Sequence, residues 1–330
     1  MIHKNSILFL VFFLVISILT SCKFTKKDKE VSSSEITKIV RPEFSADSAF
    51  QFIEKQVAFG YRIPGSPAHS ACKEYLLQKL TSYCDTTLLQ STEVRLFDGK
   101  RVPCYNIIGS FHIDAPRRML LCAHWDTRPY ADQDLQEKTK AISGANDGGS
   151  GVGVLLEIAR QLQKKNPDYG IDIVLFDVED WGQPEFSVLP PSEDSYCLGS
   201  QYWSKNPHVP GYTAQQGILL DMIGGNGATF TIEGTSMRYA PDFMRKVWSI
   251  AAELGYTNTF VNTETNPIID DHYYINIISG IPTIDIIHHD ASTPSGFPHY
   301  WHTHKDDMSN VNKTSLSAVG ETVLSVIYYL

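Results

Sequence analysis

Five short stretches of this chain carry imidazoles and carboxylates beside apolar runs or glycine turns. They are Ala123-His124-Trp125-Asp126, Gly144-Ala145-Asn146-Asp147-Gly148-Gly149, Phe176-Asp177-Val178-Glu179-Asp180-Trp181, Leu219-Leu220-Asp221-Met222-Ile223-Gly224 and Tyr300-Trp301-His302-Thr303-His304. Imidazole nitrogen and carboxylate oxygen are donors that Zn²⁺ takes in tetrahedral sites, and a catalytic site keeps one position open for water or substrate. Such ligands must converge in space and need not be close in sequence. The adjacent pair Glu179-Asp180 follows an apolar run, and two neighbouring carboxylates repel unless a cation neutralises one. One of them can then bind metal while the other serves as acid and base. A metal-dependent hydrolase or transferase is the first reading.

Each residue also has a plainer role. Asp147 precedes the run Gly148-Gly149-Ser150-Gly151 that opens a helix, so alone it is equally a helix N-cap. His288, His289, His299, His302 and His304 are crowded, and a histidine in such a cluster is more often structural or exposed than metal-bound. His124 either holds a second metal or orients its loop. Asp270-Asp271-His272 reads as a polar cluster facing substrate. The Gly-x-x-x-x-Gly-Lys loop, the Gly-x-Gly-x-x-Gly fingerprint and the Gly-x-Ser-x-Gly elbow are all missing, which disfavours nucleotide binding and serine hydrolysis.

The elements that must position these groups follow from hydrophobic spacing. Helices are predicted from near Ser45 to Gly60, through Tyr75, Leu76 and Leu80, from Gly151 to Lys165, from Pro241 to Leu254 and from Ser315 to Tyr329. Strands are predicted over Thr86–Phe97, Cys104–Phe111, Met119–Ala123, Ile171–Phe176, Gly217–Leu220, Ala228–Glu233 and Thr283–Ile287. Apolar strands alternating with helices indicate an α/β fold: a three-layer sandwich whose mixed, mostly parallel sheet is covered on both faces. Three strand ends in a row carry candidate ligands, namely His124, Glu179 with Asp180, and Asp221. In open α/β sheets the cleft lies outside the carboxyl ends of the strands, so the polar groups fall where a site belongs.

Three hundred and thirty residues, 42% hydrophobic, can bury one large core or two smaller ones. Residues 1–21 read as an export signal: His3 and Lys4 precede an apolar stretch from Ile7 to Leu19, and Leu19-Thr20-Ser21-Cys22 closes it. That stretch is shorter than the ~20 residues a spanning helix needs. A cysteine directly after the cut resembles the bacterial lipoprotein site, with Cys22 carrying lipid and anchoring the protein to the membrane of the cell envelope. Residues 22–40 read as a flexible tether and 41–330 as one zinc-dependent catalytic domain. Removing the leader takes away one lysine and no acid, moving the net charge from −9 to −10, so nucleic acid is not sought by charge. The remaining cysteines, Cys72, Cys84, Cys104, Cys122 and Cys197, show no Cys-x-x-Cys pair and read mostly as small buried apolar residues.

At these residues the chain resembles the zinc aminopeptidase superfamily, and within it the glutaminyl cyclases, from roughly residue 50 to the end. The lead-in Phe59-Gly60-Tyr61-Arg62-Ile63-Pro64-Gly65-Ser66-Pro67 and the five stretches occur in the superfamily's order. Asp194-Ser195 followed by Gly199-Ser200, Asp270-Asp271-His272 and Trp301-His302-Thr303 look like cyclase counterparts. The resemblance implies one zinc held by Asp147, Asp180 and His302, with Glu179 as proton shuttle. It also implies that Asp221 and Asp270 belong to the polar network, and that Trp301 and Trp181 line the substrate pocket. The implied reaction turns an N-terminal glutamine of a peptide or protein into pyroglutamate and ammonia. One departure stands out: the family usually has two glutamates where this chain has Glu179-Asp180. The chief alternative is a two-zinc aminopeptidase, with His124 and Asp221 completing a second site around a bridging Asp147. A non-catalytic binding module would have lost ligands or the shuttle, and here all of them are present.

Overall fold

A computed structural model describes residues 40–192 and 194–329. The expected leader, Cys22 and the expected tether up to residue 39 lie outside the described residues. Helix α1 (Ala46–Val57) begins where Ser45 accepts the Ser48 N–H, and α2 (Pro67–Tyr83) begins where Ser66 accepts the His69 N–H with Pro67 at the first turn. The helix predicted through Tyr75, Leu76 and Leu80 therefore begins as early as Pro67.

The main sheet has the order β1-β2-β4-β3-β5-β8, built from β1 (Thr86–Arg95), β2 (Arg101–Phe111), β3 (Arg118–His124), β4 (Gly170–Phe176), β5 (Gln216–Asp221) and β8 (Thr283–Ile287). β1–β2 and β2–β4 pair antiparallel, while β4–β3, β3–β5 and β5–β8 pair parallel. The fold is the expected α/β sandwich. Its central strands are apolar on both faces because both are covered. Met119, Leu121, Ala123, Ile171, Ile173 and Leu175 join a core with α1, α2, α3 (Gly149–Lys164), α6 (Pro241–Glu253) and α8 (Lys313–Tyr329). Leu120, Cys122, Val174, Phe176 and Leu219 face the other way, onto Trp203 of α4 (Leu198–Lys205) and Ile275.

The α3 helix runs very close to β3 and β5. A Cβ on Gly151 would lie 2.1 Å from the Leu220 carbonyl oxygen and 2.9 Å from the Ala123 Cβ, so glycine there is a packing requirement. The predicted strand at 228–233 is shorter than expected. Only β6 (Phe230–Ile232) is extended, and it pairs in parallel with β7 (Phe260–Glu264), which has no clear alternation in sequence. Short helices α5 (Gly234–Tyr239) and α7 (Asp271–Tyr274) complete the chain order. Among the described residues no helix is long and apolar enough to cross a membrane.

Candidate active site

The three adjacent parallel strands β4, β3 and β5 end side by side, and their carboxyl ends deliver the chemistry. His124 is the last residue of β3 and Asp221 the last of β5, while Glu179 and Asp180 follow β4 within a few residues. The backbone bends sharply at these points: Val178, Met222 and His302 all have positive φ, near 50°. A β-branched valine with φ of 53° is strained, and it turns the Glu179-Asp180 pair back over the strand ends.

Asp147, Asp180 and His302 converge, with ligand-type atoms all within 4.8 Å of one another. His302 Nε2 lies 3.3 Å from Asp180 Oδ1 and 3.7 Å from Asp147 Oδ2. A second set shares Asp147: His124 Nε2 is 2.9 Å from Asp147 Oδ1 and 3.2 Å from Asp221 Oδ1. Asp147 is not the helix cap that its position alone allowed. Gly148 occupies the cap of α3 without a side-chain bond, which frees the Asp147 carboxylate for the two imidazoles. Asp180 Oδ2 and Asp221 Oδ1 are buried without hydrogen-bond partners. Orphaned carboxylate oxygens beside imidazole nitrogens are what a divalent cation would satisfy, so the residues fit a metal site.

A cavity of about 270 Å³ opens onto this cluster. It is lined by Asp147, Glu179, Asp180, Asp221, Asp270 and His302, with Tyr196, Ile268, Phe297 and Trp301 among its apolar walls. Trp301 stacks on His302 with ring centroids 3.8 Å apart, and Phe297 packs against Trp301 at 4.7 Å. Trp181 lies elsewhere. It is half-buried against the cluster of Leu96, Val102, Cys104 and Val178. The pocket wall is supplied instead by Tyr196, which sequence reasoning did not single out.

The electrostatics divide the carboxylates. Burial, with Asp180, Asp270 and Asp271 nearby, pushes the Glu179 carboxyl well above the usual range despite the pull of His124. Burial and the charge of Asp147 lift Asp221 to about 7, and the same causes raise Asp180. Asp147 stays low: burial opposes ionisation, but the His124 bond and the charges of His124, His302 and Arg128 outweigh it.

Several supporting residues carry no sequence signal of their own. The Asp126 carboxylate accepts the N–H groups of Glu179 and Asp180, at 3.1 and 3.2 Å, which fixes the pair. Asp132 lies 3.3 Å from His302 Nδ1, and the Arg128 guanidinium clamps Asp132 while donating to the Asp180 carbonyl oxygen. Asp306 accepts the N–H groups of Asn146 and Asp147 and so holds the Asp147 turn. Asp126 stood in a quoted motif, but Arg128, Asp132 and Asp306 sit in loops whose pairing only the fold creates. Asp270 lines the cavity and N-caps α7, whereas His272 is buried beneath it, 3.1 Å from Glu233.

Residues 106–327 match the profile of peptidase family M28. The chain belongs to that family. A solved glutaminyl cyclase from Tannerella forsythia is 51% identical, with 88% of this chain and 100% of that chain covered and a TM-score of 0.86. A Zn-dependent exopeptidase from Parabacteroides distasonis is 49% identical, with 88% and 100% covered and a TM-score of 0.87. Among curated proteins, the glutaminyl-peptide cyclotransferase of Bos taurus is 25% identical over 308 residues, with 82% of this chain and 78% of that protein covered. The chain is an enzyme, with its candidate site at the carboxyl edge of a mixed sheet.

Proposed function

We propose that this enzyme cyclises N-terminal glutamine residues of peptides and proteins to pyroglutamate, releasing ammonia. The observation that carries this reading is the meeting, in one aromatic-walled cavity, of a metal-type triad with a neighbouring carboxylate outside it, Glu179, poised for proton transfer. Its likeness to glutaminyl cyclases supports the same reading.

Asp147, Asp180 and His302 would hold a single Zn²⁺, which when bound supplies polarisation of the glutamine side-chain carbonyl oxygen. The substrate's α-amine nitrogen forms a bond to that amide carbon, and the bond from the carbon to the side-chain nitrogen breaks. Glu179 accepts the proton released by the attacking amine and returns it to the departing nitrogen as ammonia forms. A carboxyl held above its usual range is suited to both halves of that transfer. Asp270, at the cavity wall, holds the leaving nitrogen, and Asp221 completes the polar network. Trp301 and Phe297 wall off water, which disfavours hydrolysis to glutamate. The nucleophile is already tethered to its target, so the chain needs to orient the substrate rather than supply an attacking group.

A two-zinc aminopeptidase is the second reading, favoured by the His124, Asp147 and Asp221 set and by the likeness to a Zn-dependent exopeptidase. Incubation with a Gln-initiated peptide separates the two. Ammonia and loss of the free amine are expected, with one zinc per chain on metal counting. Release of a free N-terminal amino acid, with two zincs, would replace the cyclase reading.

We also propose that the enzyme is exported and anchored through lipid on Cys22, on the strength of the sequence pattern of residues 1–22. Cys22→Ser should move the protein from the membrane fraction to the soluble one. A variant that still sediments with membranes would end that proposal.

A further inference from the structure

Of the five cysteines among the described residues, Cys72, Cys104 and Cys122 pack in the buried apolar clusters, as sequence suggested. Cys197 does not. Its side chain is fully buried and its Sγ lies 3.2 Å from Glu179 Oε1. Glu179, Cys197 and Asp270 bring their polar atoms within 4.8 Å of one another. Among the described residues the thiol is the one direct hydrogen-bond donor to the Glu179 carboxylate, because His124 Nδ1 stands 4.0 Å from the other oxygen.

The backbone holds the thiol in that place. Cys197 adopts the left-handed conformation, φ 57° and ψ 32°, immediately before α4. Its N–H donates to the Glu179 carbonyl oxygen and the Leu198 N–H donates to that of Val178, both at 2.9 Å. The Glu179 segment and the Cys197 turn are therefore stapled through main chain and side chain together. A non-glycine residue in the left-handed region is held at a conformational cost, offset here by these paired main-chain bonds.

We infer that Cys197 is a positioning residue for the cyclisation proposed above: its S–H donates to Glu179 Oε1, fixing the carboxylate so that Oε2 faces the cavity and exchanges the proton. The inference rests on that reading of Glu179. Burial beside Glu179, Asp270 and Asp271 keeps the thiol protonated, so it acts as a donor and not as a nucleophile. A thiol is a weak donor, and it orients the carboxylate while withdrawing less of its basicity than a hydroxyl would.

The test compares Cys197→Ala and Cys197→Ser, two substitutions of similar size of which only serine keeps a donor. With a Gln-initiated peptide, kcat of Cys197→Ala should fall about tenfold, the worth of a hydrogen bond to a charged group, with KM and zinc content unchanged. Cys197→Ser should recover most of that loss although both variants melt at similar temperatures. Independently of activity, the infrared S–H stretch that disappears in Cys197→Ala should shift when Glu179 is replaced by Gln. Equal kcat for Cys197→Ala and the wild type, equal loss in both Cys197 variants, or an unmoved S–H band would each overturn the role of the thiol. A wild type that releases no ammonia would overturn the cyclisation reading and this role with it.

Discussion

Glu179 owes its usefulness to neighbours that arrive from distant segments. Asp126 fixes its backbone, Cys197 donates to one oxygen, and burial among acids raises its affinity for protons. Its carboxylate is not one of the three groups that converge as Asp147, Asp180 and His302. Glu179→Gln should therefore retain zinc by metal analysis yet lose at least about 100-fold in kcat, the scale of a general acid–base group. Near-normal turnover would remove Glu179 from the proton path. The shorter Asp180, where glutamate is usual in the cyclases, is accommodated by a rigid setting. The Arg128 guanidinium bonds its carbonyl oxygen at 2.9 Å and stands 3.4 Å from its Oδ1. Trp181 teaches the opposite lesson. It adjoins the acidic pair in sequence, but the chain bends through residues 177–180 and Trp181 joins a different cluster.

At the scale of elements, the site is the shared edge of β4, β3 and β5 capped by the start of α3. Asp147 sits just before the Gly148 cap of that helix, so the distance of the helix from the sheet sets the geometry of both imidazole contacts. Gly151→Ala would place a methyl 2.1 Å from the Leu220 carbonyl oxygen. Overpacking of this kind costs about 1–3 kcal/mol. A lowered melting temperature and weaker zinc binding are expected together, since α3 must shift away from Asp221's strand. A variant that melts like the wild type would show that the helix–sheet contact has slack. The main strands and helices were readable because burial on both faces demands continuous apolar runs of strand length. β6 was readable, though shorter than expected, whereas its partner β7 and the short helices were not, because their apolar residues are few and their partners lie tens of residues away.

For the whole molecule, the concentration of buried acids makes metal-free stability depend on pH. Asp177 is raised from 3.8 to about 6, Asp221 to about 7 and Asp306 to about 8, each chiefly by burial. A carboxyl with a raised folded value favours folding when protonated, below the unfolded 3.8, and that contribution fades as pH climbs through the folded value. His302 is also raised, against burial and Arg128, by Asp180 and Asp132; its contribution is present below 6.5 and is likewise lost on going up. Glu233 works in reverse. Burial opposes its ionisation, but its His272 contact holds it at about 2, so its contribution is lost only in strong acid. Metal-free protein should thus melt at progressively lower temperature from about pH 5 to 8. Zinc requires the deprotonated ligands, so the gain in melting temperature on adding zinc should widen over the same range. A gain that stays constant with pH would mean that the ligands do not exchange protons for metal. Local residue type and spacing were enough to name the layered fold and the five stretches that carry candidate ligands, because strand ends and glycine turns announce themselves within a few residues. The choice of Asp147, Asp180 and His302 among them came from the resemblance to the cyclases. Which groups surround them was decided only by packing. Arg128, Asp132, Cys197 and Asp306 act through contacts between segments far apart in the chain, and no one-dimensional pattern encodes a direction in space.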